Sequence, residues 1–295
     1  MQWWPVVPGV VLVLLALRDV FQTLWHPSGE GRLSGRLTRA LWALARRRGP
    51  RAGALVGPVT VVATIVMWVT LLLVGFALVH WPFLGDGFAY SDTVLGPDRR
   101  GFLDALYVSG VLLATLGLGD VLPLSWPLRL LVPAQALVGF ALLTAAVSWL
   151  IQLEAALARR RSLAHRADLL RRAGRTGGTE GGHDAPPAAV LDELAGGLAR
   201  ARVDLQHSTV TYVFTDPEEG ESIAAVLPWV ARVAVEVADG GEPGRAAAAR
   251  GVVLAVDDLL ELVDSQFLHL DGADRQARLR ALAEQHGYPE ALSAA

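Results

Sequence analysis

The residues whose types and spacing suggest chemistry form one short run, Thr115-Leu116-Gly117-Leu118-Gly119-Asp120. Glycine at every second position opens backbone angles closed to other residues. Successive carbonyls can then face the same way, which the alternation of an ordinary strand forbids. Four such runs about one axis stack rings of carbonyl oxygens, and such rings substitute for the hydration shell of a bare cation. Thr115 can add its hydroxyl at one end of the run. Asp120 is read as tying the other end to neighbouring backbone while lending negative potential. Other chemistries are poorly provided for. The chain has no cysteine, and all 26 of its basic residues are arginine, which excludes disulfides, thiolate sites, lysine Schiff bases and the Walker phosphate loop. No nucleophile–base pair or HExxH is present and the seven histidines are scattered, so the chain reads as a non-enzyme.

The elements around that run come from hydropathy. The chain has 295 residues, of which 53% are hydrophobic and 19% charged, more apolar and less charged than soluble domains usually are. Pro58–Val79 carries no charge for 22 residues and Leu130–Leu153 none for 24; either is long enough to cross the roughly 30 Å of hydrocarbon at 1.5 Å per helical residue. A third span is expected at about Trp4–Trp25. Its Arg18 and Asp19 are read as lying near the helix end in solvent, with a buried charged site as the alternative. The apolar run Leu103–Ala114 is too short to span and reads as a re-entrant helix. Asp104 near its start complements the positive end of the helix dipole, and Gly117 forces it to stop.

Arginine placement orients the spans. Arg32, Arg36, Arg39, Arg46, Arg47, Arg48 and Arg51 lie between the first two, and Arg159, Arg160 and Arg161 follow the third. The stretch from His80 to Asp104 holds Arg99 and Arg100 against four aspartates. The positive-inside rule then puts the amino terminus and the region 80–127 outside, and the first connection and carboxyl end in the cytoplasm. Trp81 and Trp126 fall at the outer boundary. In the first connection Leu33, Leu37, Leu41 and Leu44 recur at helical spacing among arginines, an amphipathic segment suited to the inner headgroup layer or to packing on a soluble domain.

Span, re-entrant helix, TLGLGD and second span together resemble the pore domain of the potassium channel superfamily, whose usual filter reads TVGYGD. The likeness covers about 95 residues, Pro58–Leu153, and includes the Asp104-Ala-Leu-Tyr107 start of the pore helix and the Pro123 that follows the filter. It implies K+ as the permeant ion, held at Thr115, Leu116, Gly117 and Leu118, and no organic cofactor. One filter per chain supplies a quarter of each carbonyl ring, which implies a homotetramer in membrane lipid. Gly139, midway along the last span, stands where the family often has an inner-helix hinge; a close contact between helices is the other reading. The chain departs at Leu118, where the family most often has a tyrosine that braces the filter through its hydroxyl. The alternatives are a non-selective cation channel of the same build and a membrane-anchored sensor with a non-conducting scaffold.

The expected fold class is an all-α membrane protein: a channel-like pore domain preceded by one extra transmembrane helix and followed by a soluble, mainly α cytoplasmic domain. Its divisions are 1–57, the first helix and basic connection; 58–153, the pore domain; 154–187, a charged helix and Gly-rich linker; and 188–295, the acidic helical domain. Residues 1–182 carry a net charge of +8 and 183–295 one of −11, which argues against nucleic acid as a partner. Helical faces are expected from Ala188, at Ile223–Val237, at Val252–Leu270 with Leu254, Leu259, Leu262 and Phe267, and at Asp274–His286. Thr209–Phe214 (TVTYVF) is the one strand-like run, a strand or an extended loop. Asp216–Glu221 is read as a solvated acidic turn. An unidentified cytoplasmic ligand could act through this domain.

Overall fold

The computed structural model describes residues 3–25, 31–46, 50–90, 101–176, 186–216, 218–240 and 242–292. His26, Arg47, Arg48, Asp92, Asp98, Arg99, Arg100 and the linker stretch 177–185 with His183 lie outside the described residues. The protein is an all-α membrane protein, with three helices long and apolar enough to cross a bilayer among the described residues, in Val6–Trp25, Leu55–Phe83 and Trp126–Gly174. Packing divides the chain into two units, Met1–Leu37 with Val61–Ile151 and Thr38–Thr60 with Gln152–Ala295.

In the first unit, α1 (Val6–Trp25) runs antiparallel to α3 (Pro50–His80). Trp3 meets Phe83 at 5.1 Å and Trp4 meets Trp81 at 6.5 Å. Further along, a methyl on Gly9 would sit 2.6 Å from the Gly75 carbonyl oxygen, so only glycine lets these backbones approach, as packing between membrane helices favours. At the far end Asp19 overturns the solvated reading: Arg18 is exposed, but Asp19 is 2% exposed. Its carboxylate accepts from Leu33 N at 2.7 Å, Ser34 N at 3.1 Å and Trp68 Nε1 at 2.8 Å. It therefore satisfies the orphan amides that open α2 (Arg32–Arg46).

The re-entrant segment is α4 (Phe102–Leu113), and Asp104 Oδ2 accepts from Gly101 N at 3.1 Å at its start. Ala77, Leu84, Phe88, Ala105, Val108 and Leu128 form the core around it. Two strands that hydropathy does not disclose frame the segment: β1 (Phe88–Tyr90) pairs antiparallel with β2 (Val121–Pro123), with Ala89 opposite Leu122. The last span and the charged segment after it are one unbroken helix, α5 (Trp126–Thr176).

The second unit gathers the Gln152–Thr176 part of α5, α6 (Ala188–His207), α7 (Ile223–Gly240), α8 (Pro243–Val263) and α9 (Arg275–Gln285). Leu191, Leu194 and Leu198 are buried along α6 as their spacing predicts. On α8 the buried face is Val252, Val256, Leu259, Leu260 and Val263, whereas Leu254 is 69% exposed. The helix ends seven residues before Leu270 and passes into a π turn, Asp264–Leu268. TVTYVF is neither strand nor extended loop but a buried 3₁₀ turn over Thr209–Val213. The acidic turn is also not solvated at its first residue: Asp216 is 4% exposed and paired with Arg160 at 2.9 Å and Arg161 at 2.7 Å. A buried carboxylate needs such partners, and they come from the arginine run after the last span.

Trp42 of α2 belongs to this unit, its ring 5.9 Å from Tyr212 and 5.7 Å from His286. Burial pushes the His286 pKa below its ordinary value and Arg160 adds to that, against hydrogen bonds to the Tyr212 and Leu282 carbonyls and the charge of Asp216. The packed state thus favours neutral imidazole. Its contribution to stability is full above the unfolded value of 6.5 and is lost as the pH falls through the depressed one. Hydrogen exchange, corrected for intrinsic rate, should quicken in residues 209–216 and 282–288 between about pH 7.5 and pH 5.5, and His286→Gln should flatten that dependence. An unchanged pH profile in the variant would remove His286 as the cause.

Candidate functional site

The helix α4 stops because its last turn closes on itself. Ala114 N donates to Gly110 O at 2.9 Å, Thr115 N to Leu112 O at 3.0 Å and Leu116 N to Val111 O at 2.9 Å. Beyond it the backbone alternates. Thr115 has φ of 57°, Gly117 of 54° and Gly119 of 77°, while Leu116, Leu118 and Asp120 stay at negative φ. An alternation of positive and negative φ can turn successive peptide planes so that their carbonyls share a side, a geometry suited to a hard cation. Thr115 holds this geometry without being glycine, a conformation costly for a β-branched residue. In the single chain residues 115–119 are exposed, Leu116 by 63% and Leu118 by 59%.

Four side-chain contacts hold the run and the helix behind it, and sequence reasoning found none of them. Tyr107 of α4 donates its hydroxyl to Asp120 Oδ2 at 2.6 Å. Asp120, expected to reach neighbouring backbone, is thus tied to the pore helix by a phenol, the kind of brace that Leu118 lacks. Behind α4, Ser109 Oγ donates to Leu73 O at 2.8 Å, and Gln135 Nε2 donates to Ser109 O at 2.9 Å and Ser109 Oγ at 3.0 Å. His80 Nε2 completes the chain by donating to Gln135 Oε1 at 2.7 Å. His80, Ser109 and Gln135 are all fully buried, so α3, α4 and α5 are joined by one polar chain, in which His80 Nδ1 is the buried atom left without a partner. A glutamine amid 24 uncharged residues was the available signal, because an amide in hydrocarbon must find partners.

Gly139 stands on the unbroken helix α5 where a methyl would be 1.9 Å from the Leu113 carbonyl oxygen. The position thus has a packing reason to be glycine: α5 crosses the last turn of α4 at backbone contact, directly beneath the run. His80, Gln135 and Gly139 all bear on α4, and α4 sets where residues 115–120 begin.

Comparison with known proteins finds a family match over the segment that contains this run. Residues 63–154 match the family model described as "Ion channel", and this segment is a potassium-channel-like pore domain. The chain is 28% identical over 163 residues to an uncharacterized membrane protein, YdjJ, of Bacillus subtilis (strain 168), covering 54% of this chain and 47% of the relative. It is 36% identical over 80 residues to protein LctB of Bacillus caldotenax, covering 26% of this chain and 59% of that protein. The chain thus spans about half the length of the curated relatives it matches. No solved structure matches.

Proposed function

We propose that the ion-channel domain of residues 63–154 conducts K+ selectively, as one quarter of a homotetrameric pore in the cell membrane. The observation that carries this reading is the alternating backbone at Thr115, Gly117 and Gly119. It supports carbonyl rings from Thr115, Leu116, Gly117 and Leu118 as K+ sites, because a dehydrated ion needs oxygens converging at each level. A single chain leaves Leu116 and Leu118 exposed, and three further copies would supply both their cover and the remaining oxygens. Arginine placement supports an amino terminus outside and a cytoplasmic carboxyl-terminal domain. The continuity of α5 from Trp126 to Thr176 gives that domain a lever on the pore. Leu118 favours a second reading, a cation channel of the same build with little selectivity; the Tyr107–Asp120 bond answers it by bracing the run from another position.

The test is K+-driven flux in liposomes, with Na+ in place of K+ and Ba2+ as a blocker, alongside the native mass in mild detergent. Flux with K+ alone and a particle of four chains are expected. No flux, or a stable monomer or dimer, would remove the reading. Tyr107→Phe keeps the ring and loses the hydrogen bond to a charged carboxylate, worth about 1.5–3 kcal/mol. A fall of roughly tenfold or more in the conducting fraction is expected at unchanged tetramer yield, and parental currents would show that the brace is dispensable.

A further inference from the structure

The 3₁₀ turn at Thr209–Val213 and the residues after it occupy an unusual place. Four segments converge on residues 211–216, two of them through its backbone carbonyls and two through its aromatic side chains. From α5, Arg160 donates Nη1 to Thr211 O at 2.6 Å and Nη2 to Phe214 O at 2.8 Å, and also pairs with Asp216. From α2, Trp42 packs its ring on Tyr212 and is 7% exposed. From the start of α3, Gly57 approaches so closely that a methyl there would stand 2.5 Å from the Phe214 ring. From the carboxyl end, His286 Nε2 lies 3.0 Å from Tyr212 O, Tyr212 donates its hydroxyl to Gln285 Oε1 at 2.9 Å, and Tyr288 donates to Asp216 O.

Two of those four segments are the ends of membrane helices. Arg160 belongs to the helix that continues back through Gly139, and Gly57 to the helix that continues through Leu73 and His80. One eight-residue strip therefore holds the inner and outer helices of the pore domain at a common point. A cavity of ≈ 50 Å³ lies at that point, with Ala156 and Arg160 on one side and Tyr212, Phe214 and His286 on others. Close-packed interiors shift between discrete arrangements rather than deforming smoothly, and a void beside the junction leaves room for a second arrangement. Releasing Arg160 would leave the Thr211 and Phe214 carbonyls without its guanidinium and Asp216 with Arg161 as its remaining ion pair.

We propose that residues Thr209–Asp216 couple the carboxyl-terminal domain to pore opening, with Arg160, Tyr212 and Phe214 as positioning residues that set how far apart α3 and α5 are held within the second unit. This rests on the channel reading above. Movement of the carboxyl-terminal domain reaches the pore through this strip, so altering it changes how often the pore opens and leaves ion preference alone.

The chain has no cysteine of its own, which makes a reversible lock clean. Gly57→Cys combined with Phe214→Cys joins α3 to the strip at its closest approach. In planar bilayers the full-length protein should change open probability about fivefold or more on oxidation, a coupling of ordinary allosteric size, and recover with reductant, at constant reversal potential. Phe214→Ala, read by the same measurement, should shift open probability in a protein that still forms its parental oligomer. A conducting parent whose crosslink is verified by mass, yet whose open probability stays within about twofold, would overturn the coupling role alone. A parent that passes no current overturns the channel reading and this proposal with it.

Discussion

Gly117→Ala should abolish conduction. At φ of 54° an alanine pays roughly 1–2 kcal/mol for the left-handed conformation, and a ring of four pays about 4–8 kcal/mol. The penalty is conformational rather than steric, since a methyl at Gly117 meets nothing within 4 Å in the single chain. The substituted chain has one way to escape it, which is to leave the left-handed region, and that turns a carbonyl out of line. Either outcome empties an ion site, so K+ flux should fall at least about a hundredfold, the factor that some 3 kcal/mol gives. Gly110→Ala is the control, because a methyl there would make an ordinary 3.6 Å contact with Leu73 inside a regular helix. It should conduct like the parent. Conduction by Gly117→Ala with parental selectivity would mean that the alternating backbone is not the pathway.

The second large effect is expected far from the pore. Asp19→Leu should destabilise the membrane unit by about 3–5 kcal/mol, the usual result of removing one partner from a buried charged network. The Leu33 and Ser34 amides and the Trp68 indole all donate to this carboxylate, and leucine would leave all three unsatisfied. Gly31 is part of the same construction: a methyl there would lie 2.4 Å from Asp19 Oδ1, so a larger residue would push the carboxylate out. At roughly 2–4 °C per kcal/mol, Asp19→Leu should lower the melting temperature in detergent by about 6–20 °C. Asp19→Asn keeps an acceptor and should lose less. An Asp19→Leu protein that melts within about 2 °C of the parent would show that α2 is held by other means.

The parts legible in the sequence are those where the solvent or the backbone leaves few choices. A bilayer demands about 20 apolar residues per helix, so α1, α3 and α5 stand out by length alone. Alternate glycines in a segment too short to span leave the backbone few other roles, so residues 115–120 announce themselves. What periodicity does not carry is pairing between distant residues. Asp19 looks like a charge near a helix end until Trp68, 49 positions away, is placed beside it. Tyr107 reads as an ordinary pore-helix residue until the backbone brings Asp120 within 2.6 Å. TVTYVF has the composition of a strand, but among the described residues no strand pairs with it, and its carbonyls go to Arg160 and His286 instead. In each case the partner, not the local pattern, decides the structure.

The central claim is that main-chain oxygens of residues 115–118 choose K+. Bi-ionic reversal potentials test it most directly: purified protein in a planar bilayer, K+ fixed on one side and replaced stepwise by Na+ on the other. The account predicts a reversal potential that tracks the K+ ratio, by about 59 mV for each tenfold change, as the single charge of the permeant ion requires. A reversal potential that stays near zero while Na+ replaces K+ would contradict it.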